Sequence, residues 1–170
     1  MSEADAHTIH KIGIPSLVLM ERAALQIVET MQKKNISTEK SLIVCGSGNN
    51  GGDGFAVARL LTEQGKHADV LFAGREASLS EECRCQKQIV ENMGISVFTE
   101  FPDEEYTVII DAVFGVGLCR EITGHYKDVI DWMNLQDAEK VAVDIPSGIC
   151  AATGEILGTA FRADLTVCMA

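Results

Sequence analysis

The apolar run Leu42-Ile43-Val44-Cys45 leads without a break into Gly46-Ser47-Gly48-Asn49-Asn50-Gly51-Gly52-Asp53-Gly54, and an amphipathic segment with Phe55, Ala58 and Leu61 on one side follows. A strand that turns through a glycine-rich elbow into a helix restricts the chain to a few α/β arrangements. With five glycines in nine residues, the elbow is expected to adopt positive φ and to let the backbone come close to a ligand. The helix behind it offers unpaired N–H groups and the positive end of its dipole, so a phosphate or other polar ligand is expected there. Gly46-x-Gly48-x-x-Gly51 also satisfies the dinucleotide fingerprint. A ligand-free glycine turn accounts for the glycines, but not for the polar groups of Asn49, Asn50 and Asp53.

The rest of the chain continues the alternation. Ser16 is placed to cap a helix whose apolar residues Leu17, Met20, Ala24, Ile27 and Met31 form one stripe. Gly65 is expected to end the helix after the elbow, and residues 68–73 to form the next strand. Ser78-x-x-Glu81 reads as a capping box ahead of a helix presenting Cys85, Ile89 and Met93, closed by Gly94 and followed by a short strand over residues 95–98. Pro102 and Asp103-Glu104-Glu105 make a solvated loop. Residues 107–110 form a strand ending on Asp111, and Val129, Ile130 and Met133 mark a helix. Residues 141–143 form a strand ending on Asp144, and residues 165–169 a last strand. Apolar strands separated by helices predict an α/β, Rossmann-like three-layer sandwich with a mainly parallel sheet and right-handed crossovers, built as one domain over residues 1–170.

Composition narrows the function. The formal net charge of −11 and pI near 4.7 oppose non-specific nucleic-acid binding, which needs clustered Lys and Arg. No apolar run approaches the ~18 residues of a membrane span, and Met1-Ser2-Glu3-Ala4-Asp5 has neither the charge nor the apolar block of a secretion signal. The six cysteines, Cys45, Cys83, Cys85, Cys119, Cys150 and Cys168, lack zinc spacing, and several lie in apolar runs. A cytoplasmic location with reduced thiols is expected. His7, His10, His67 and His125 are scattered, so no Ser/His/Asp or Cys/His arrangement emerges.

In such a sandwich, ligands bind beyond the carboxyl ends of the strands, where the strand order switches. Asn50, Asp111, Asp144 and Ser147 all fall at that edge. Either aspartate alone reads equally well as a cap or turn former, but the four beside the elbow read as a site. Amide, carboxylate and hydroxyl oxygens suit a hard cation, with potassium and magnesium both compatible. Gly115-Val116-Gly117-Leu118-Cys119-Arg120-Glu121 forms a second loop on this edge, where Arg120 is available to a phosphate.

Gly-Ile-Pro-Ser-Leu-Val-Leu-Met-Glu-Arg-Ala-Ala at 13–24, Asn-Asn-Gly-Gly-Asp-Gly at 49–54, Asp-Ala-Val-Phe-Gly-Val-Gly-Leu at 111–118 and Val-Asp-Ile-Pro-Ser-Gly at 143–148 together resemble the N-terminal YjeF domain of the NAD(P)H-hydrate epimerases. The resemblance implies a metabolite-repair isomerase that interconverts the R and S forms of NADHX and NADPHX, nicotinamide cofactors hydrated at C6. It implies one potassium ion per subunit on Asn50, Asp111 and Ser147, and no redox cofactor. It implies substrate binding by Asn49, Asn50, Gly51, Gly52 and Asp53, by Gly115, Val116, Gly117, Leu118, Cys119, Arg120 and Glu121, and by Asp144. The implied partners are a second copy of the chain and a fused or separate ATP- or ADP-dependent NAD(P)H-hydrate dehydratase. Family members continue past the last strand with a lysine-containing loop and further strands, so the domain is expected to be shortened at its carboxyl end.

The nitrogen lone pair next to C6 assists loss of the hydroxyl, and the planar cation that results accepts water from either face. Asp144 is the first candidate for moving the proton, since the resemblance assigns Asp111 to the ion. Two alternatives stay open. An NAD(P)-dependent oxidoreductase would use the literal fingerprint together with Arg75 or Glu76 after the second strand. A non-catalytic YjeF-like scaffold would not need the polar residues at 49, 50, 53, 111 and 144.

Overall fold

The computed structural model describes residues 7–168. Six strands, β1 (Lys40–Cys45), β2 (His67–Phe72), β3 (Val97–Phe98), β4 (Val108–Ala112), β5 (Glu139–Val143) and β6 (Leu165–Val167), form one sheet. Its order is β3-β2-β1-β4-β5-β6 and every neighbouring pair is parallel. Four α-helices cover it: α1 (Ser16–Lys33), α2 (Asn49–Glu63), α3 (Glu81–Asn92) and α4 (Gly124–Leu135). None of the helices is long and apolar enough to cross a membrane, among the described residues. Met169, expected to end the last strand, and the first six residues, including the segment 1–5, lie outside those described.

Strand residues alternate faces, and the alternation sorts the core into two halves. Ile43, Cys45, Val70, Phe72, Ile110 and Ala112 pack with α1, α2 and α3, whereas Leu42, Val44, Leu71, Ile109 and Ala142 pack with Val129, Ile130 and Met133 of α4. Both faces of β1 and β4 are therefore sealed from water, which is why their sequences are apolar without a break. The strand order reverses between β1 and β4. Val44 lies opposite Asp111 and Cys45 opposite Ala112, so the loops leaving the two strands start side by side.

The elbow works differently from the sequence expectation. None of its five glycines has positive φ, and α2 already begins at Asn49. Their value is the missing side chain. A Cβ on Gly46 would lie 2.1 Å from the Val113 carbonyl oxygen, one on Gly51 would lie 2.0 Å from the Gly46 carbonyl oxygen, and one on Gly54 would lie 2.6 Å from the Ala112 Cβ. These glycines let α2 lie against the ends of β1 and β4, as a helix carrying side chains there could not.

Four local readings are corrected. Ser16 is the first residue of α1 rather than its cap, and its hydroxyl donates to Glu82 at 2.7 Å. The cap of α3 is Ser80, whose hydroxyl accepts from the Cys83 N–H at 3.2 Å, while Ser78 closes a short 3-10 turn. The buried face of α3 is Cys83, Gln86 and Val90 rather than Cys85, Ile89 and Met93, with Cys83 and Val90 packed into the core and Met93 exposed. Likewise Leu17 is exposed, and Val28 takes part in the α1 stripe instead.

Gly46→Ala should cost roughly 1–3 kcal/mol, a fall in Tm of roughly 3–10 °C, because a backbone carbonyl has to move to admit the methyl group. Gly48→Ala, whose added Cβ meets nothing within 4 Å, should cost no more than about 1 kcal/mol. Thermal melts of the two variants check the contrast.

Candidate functional site

Asp111 is the buried centre of the carboxyl edge. It belongs to β4 itself, is 0% exposed, and points its carboxylate at the turn after β5. Ser147, 1% exposed, donates its hydroxyl to Asp111 Oδ1 at 2.6 Å and its backbone N–H to Oδ2 at 2.7 Å. The Val113 N–H donates to Oδ1 at 3.2 Å, and the Phe114 N–H donates to the Ser147 hydroxyl at 2.9 Å. One carboxylate thus ties the loop after β4 to the loop after β5.

No described ion pair includes Asp111, so its charge is buried without a cationic side chain. Burial raises its pKa to about 6, although the hydrogen bonds from Ser147 and Val113 pull the other way. A bound cation would compensate that charge.

Asn50, Gly115 and Asp144 meet beside it. A Cβ built on Gly115 would lie 3.1 Å from Asp144 Oδ2 and 3.5 Å from Asn50 Cγ, so Gly115 lies close to both side chains and a larger residue would crowd Asp144. Asp144 has φ +68, a left-handed conformation that costs a non-glycine residue about 1–3 kcal/mol and persists where the surroundings impose it. Here its N–H donates to the Val167 carbonyl at 2.8 Å, and its Oδ2 accepts from the Val116 N–H at 3.3 Å. The strand β6 and the 115–121 loop therefore hold it from opposite sides.

Asn50 Nδ2 is buried without a hydrogen-bond partner. Turning the amide over would bring an oxygen to that buried position. An unbalanced carboxylate, an amide able to offer oxygen and a serine hydroxyl form a donor set that fits a weakly charged, oxygen-seeking cation. No three His, Cys, Asp or Glu side chains converge on a metal site among the described residues, so a zinc-type cluster is not built here.

The other expected residues divide by role. Asn49 is exposed, Asp53 is half-buried, and Gly51 and Gly52 are sealed inside the first turns of α2. In the second loop, Leu118 and Ile122 sink into the α4 side of the core, leaving Val116, Gly117, Cys119, Arg120 and Glu121 exposed. The Leu118 side chain is thus an anchor for the loop rather than a surface for ligand. The backbone amides of Val113 and Phe114 were missed, because their contribution depends on the fold and not on side-chain chemistry. All six cysteines are free thiols, and burial, reinforced by Asp53, raises Cys83 to about 12. Two surface cavities of about 500 and about 510 Å³ lie elsewhere, one lined by Lys40 and Tyr106 and the other by Asn134 and Phe161. The candidate site is an open edge.

The raised pKa of Asp111 fixes the sign of a stability effect. Its contribution is fully present below the unfolded value near pH 4 and is lost as pH rises through about 6. In buffer without alkali-metal ions, urea unfolding should show the wild type losing on the order of 2–3 kcal/mol relative to Asp111→Asn between about pH 4 and 7. Parallel stability curves would mean that Asp111 titrates as an ordinary carboxylate.

Comparison with known proteins identifies the family. The profile of the family described as YjeF-related protein N-terminus matches residues 16–170. A Limosilactobacillus reuteri protein named NAD(P)H-hydrate epimerase is 45% identical over 172 residues, which covers 100% of this chain and 81% of that protein. One of the same name from Oenococcus oeni is 44% identical over 167 residues, covering 97% and 80%. The crystal structure of yeast ynu0 superposes with a TM-score of 0.83 over 96% of this chain and 75% of that one, at 21% identity, a likeness of fold. The match runs through the elbow, the Asp111 strand and the Asp144–Ser147 turn, and the chain belongs to the YjeF-related protein N-terminus family.

Proposed function

We propose that this chain interconverts the R and S forms of NADHX and NADPHX. The observation that carries the reading is the meeting of Asn50, Gly115 and Asp144 beside the buried Asp111–Ser147 clasp, at the switch in strand order. Relatives similar over nearly the whole chain are named for this activity. The amino end of α2, with no side-chain cap, faces this edge and supplies N–H groups for the pyrophosphate of a dinucleotide.

The reaction needs a proton moved and a cation tolerated. As the ring nitrogen expels the C6 hydroxyl, the Asp144 carboxyl gives it a proton. When water adds to the opposite face of the planar ring, a carboxylate takes one back. The Asp144 carboxylate left by the first of these transfers favours the positively charged intermediate. No hydride moves, so the substrate is neither oxidised nor reduced.

Asn50, Asp111 and Ser147 would hold potassium. Bound there, the ion would neutralise Asp111 and brace the two loops that Ser147 joins. The same reading includes a homodimer, a fused or separate ATP- or ADP-dependent NAD(P)H-hydrate dehydratase, and a cytoplasmic location.

Incubating the protein with R-NADHX and following formation of the S form by chromatography tests the activity, and no conversion in potassium buffer would refute it. Asp144→Asn should lower turnover by about 10²–10⁴-fold with binding largely kept, since Asn tolerates the left-handed backbone and still accepts from Val116. Asp111→Asn should instead weaken hydrate binding and the response to potassium together. Near-normal turnover in Asp144→Asn would move the proton-transfer role to Asp53 or bound water.

A further inference from the structure

Arg75 and Glu76, which follow β2, have no part in the reaction just described. The strand order puts β2 on the far side of β1 from β4. With the hydrated ring at Asn50, Gly115 and Asp144 and the pyrophosphate over the amino end of α2, the adenosine half of the substrate crosses β1 toward the carboxyl end of β2. The segment there is fastened to the elbow. The Ala73 N–H donates to the Cys45 carbonyl at 2.9 Å, the Ser80 N–H donates to the Ser47 carbonyl at 2.9 Å, and a Cβ on Gly74 would lie 2.7 Å from the Ser47 nitrogen.

The two charged side chains at this turn are not equivalent. Glu76 is held by the Lys87 ammonium at 2.9 Å, and Lys87 in turn bonds Glu91 and lies over the Phe72 ring at 5.7 Å. That carboxylate is drawn toward α3 by the lysine it shares with Glu91, which engages it in an ion pair that Arg75 lacks. Arg75 is exposed and enters no described ion pair or side-chain hydrogen bond. Arg120 is likewise exposed and in no described ion pair, but its loop leaves β4, on the other side of β1 from this turn. The planar fork of Arg75 matches a phosphate in two-point contact.

We propose that Arg75 recognises the 2′-phosphate on the adenosine ribose of the substrate and gives the enzyme a preference for NADPHX over NADHX. This rests on the epimerase reading for its substrate, but not for its first test. Titration calorimetry with adenosine 2′,5′-bisphosphate and with 5′-AMP reads the phosphate contact without any turnover. Wild type should bind the bisphosphate about ten- to hundredfold more tightly than 5′-AMP, and Arg75→Ala should lose that difference while Lys34→Ala, an exposed charge removed at the opposite edge, keeps it. Equal binding of the two nucleotides by wild type, or an unchanged ratio in Arg75→Ala, would overturn the proposal.

Kinetics provide the second test. Arg75→Ala should raise the KM for NADPHX about ten- to hundredfold and leave that for NADHX within about twofold, with kcat unchanged for both. Equal changes for the two substrates would overturn the proposal while leaving the epimerase reading intact. Failure of wild type to convert either hydrate would refute the epimerase reading and leave the calorimetric result to decide the role of Arg75.

Discussion

The buried carboxylate of Asp111 is the constraint on which the edge depends. It sits in a strand sealed on both faces, where a charge is costly, and receives three hydrogen bonds from Ser147 and Val113 in return. Those bonds do more than offset desolvation. They set the path of the loop after β4, and hence of Gly115, and the path of the turn after β5, and hence of Asp144. An apolar residue at 111 would remove the cost, but also the link between the two loops that carry the site.

Much of the fold was legible because the chain obeys simple periodicities. The uninterrupted apolar runs of β1 and β4 could be read as doubly covered strands, and the strand–glycine–helix transition placed the edge where ligand chemistry would gather. Phase was harder to read. On α3 neither the buried stripe nor the cap could be read locally, since packing decides the stripe and Ser78 and Ser80 satisfy the capping pattern almost equally. Only the 3-10 turn over Glu76–Ser78 decides in favour of Ser80.

The site was legible as a set of residue types but not as a geometry. Asn50, Asp111, Asp144 and Ser147 could be assigned to one edge from strand order alone. That Asp111 and Ser147 form a closed pair, while Asn50 and Asp144 meet across Gly115, depends on register between distant strands. The glycines give the same lesson. Their number indicated an unusual backbone, and positive φ was the natural inference, but the demand is for close approach of α2 to β1 and β4. Nothing in the local sequence separates these two uses of glycine, since the colliding atoms belong to Val113 and Ala112.

On the proposed reading, a chain of net charge −11 must find positive potential for a dinucleotide without spending many basic side chains. On that reading its backbone source is the amino end of α2, while the other N–H groups of the edge hold the site's own oxygens. The amino end of α2 is uncapped, its first turns are glycine-rich, and the N–H groups of Val113, Phe114 and Val116 are turned toward the oxygens of Asp111, Ser147 and Asp144. Because those oxygens are fixed by the same donors, the negative charge of the site is confined to a few known positions rather than spread over a mobile surface. This arrangement suits a reaction whose intermediate is cationic in the ring and anionic in the phosphates. The carboxylates lie toward β4 and β5, the helix dipole lies above β1, and the polarity of the edge follows the polarity of the substrate.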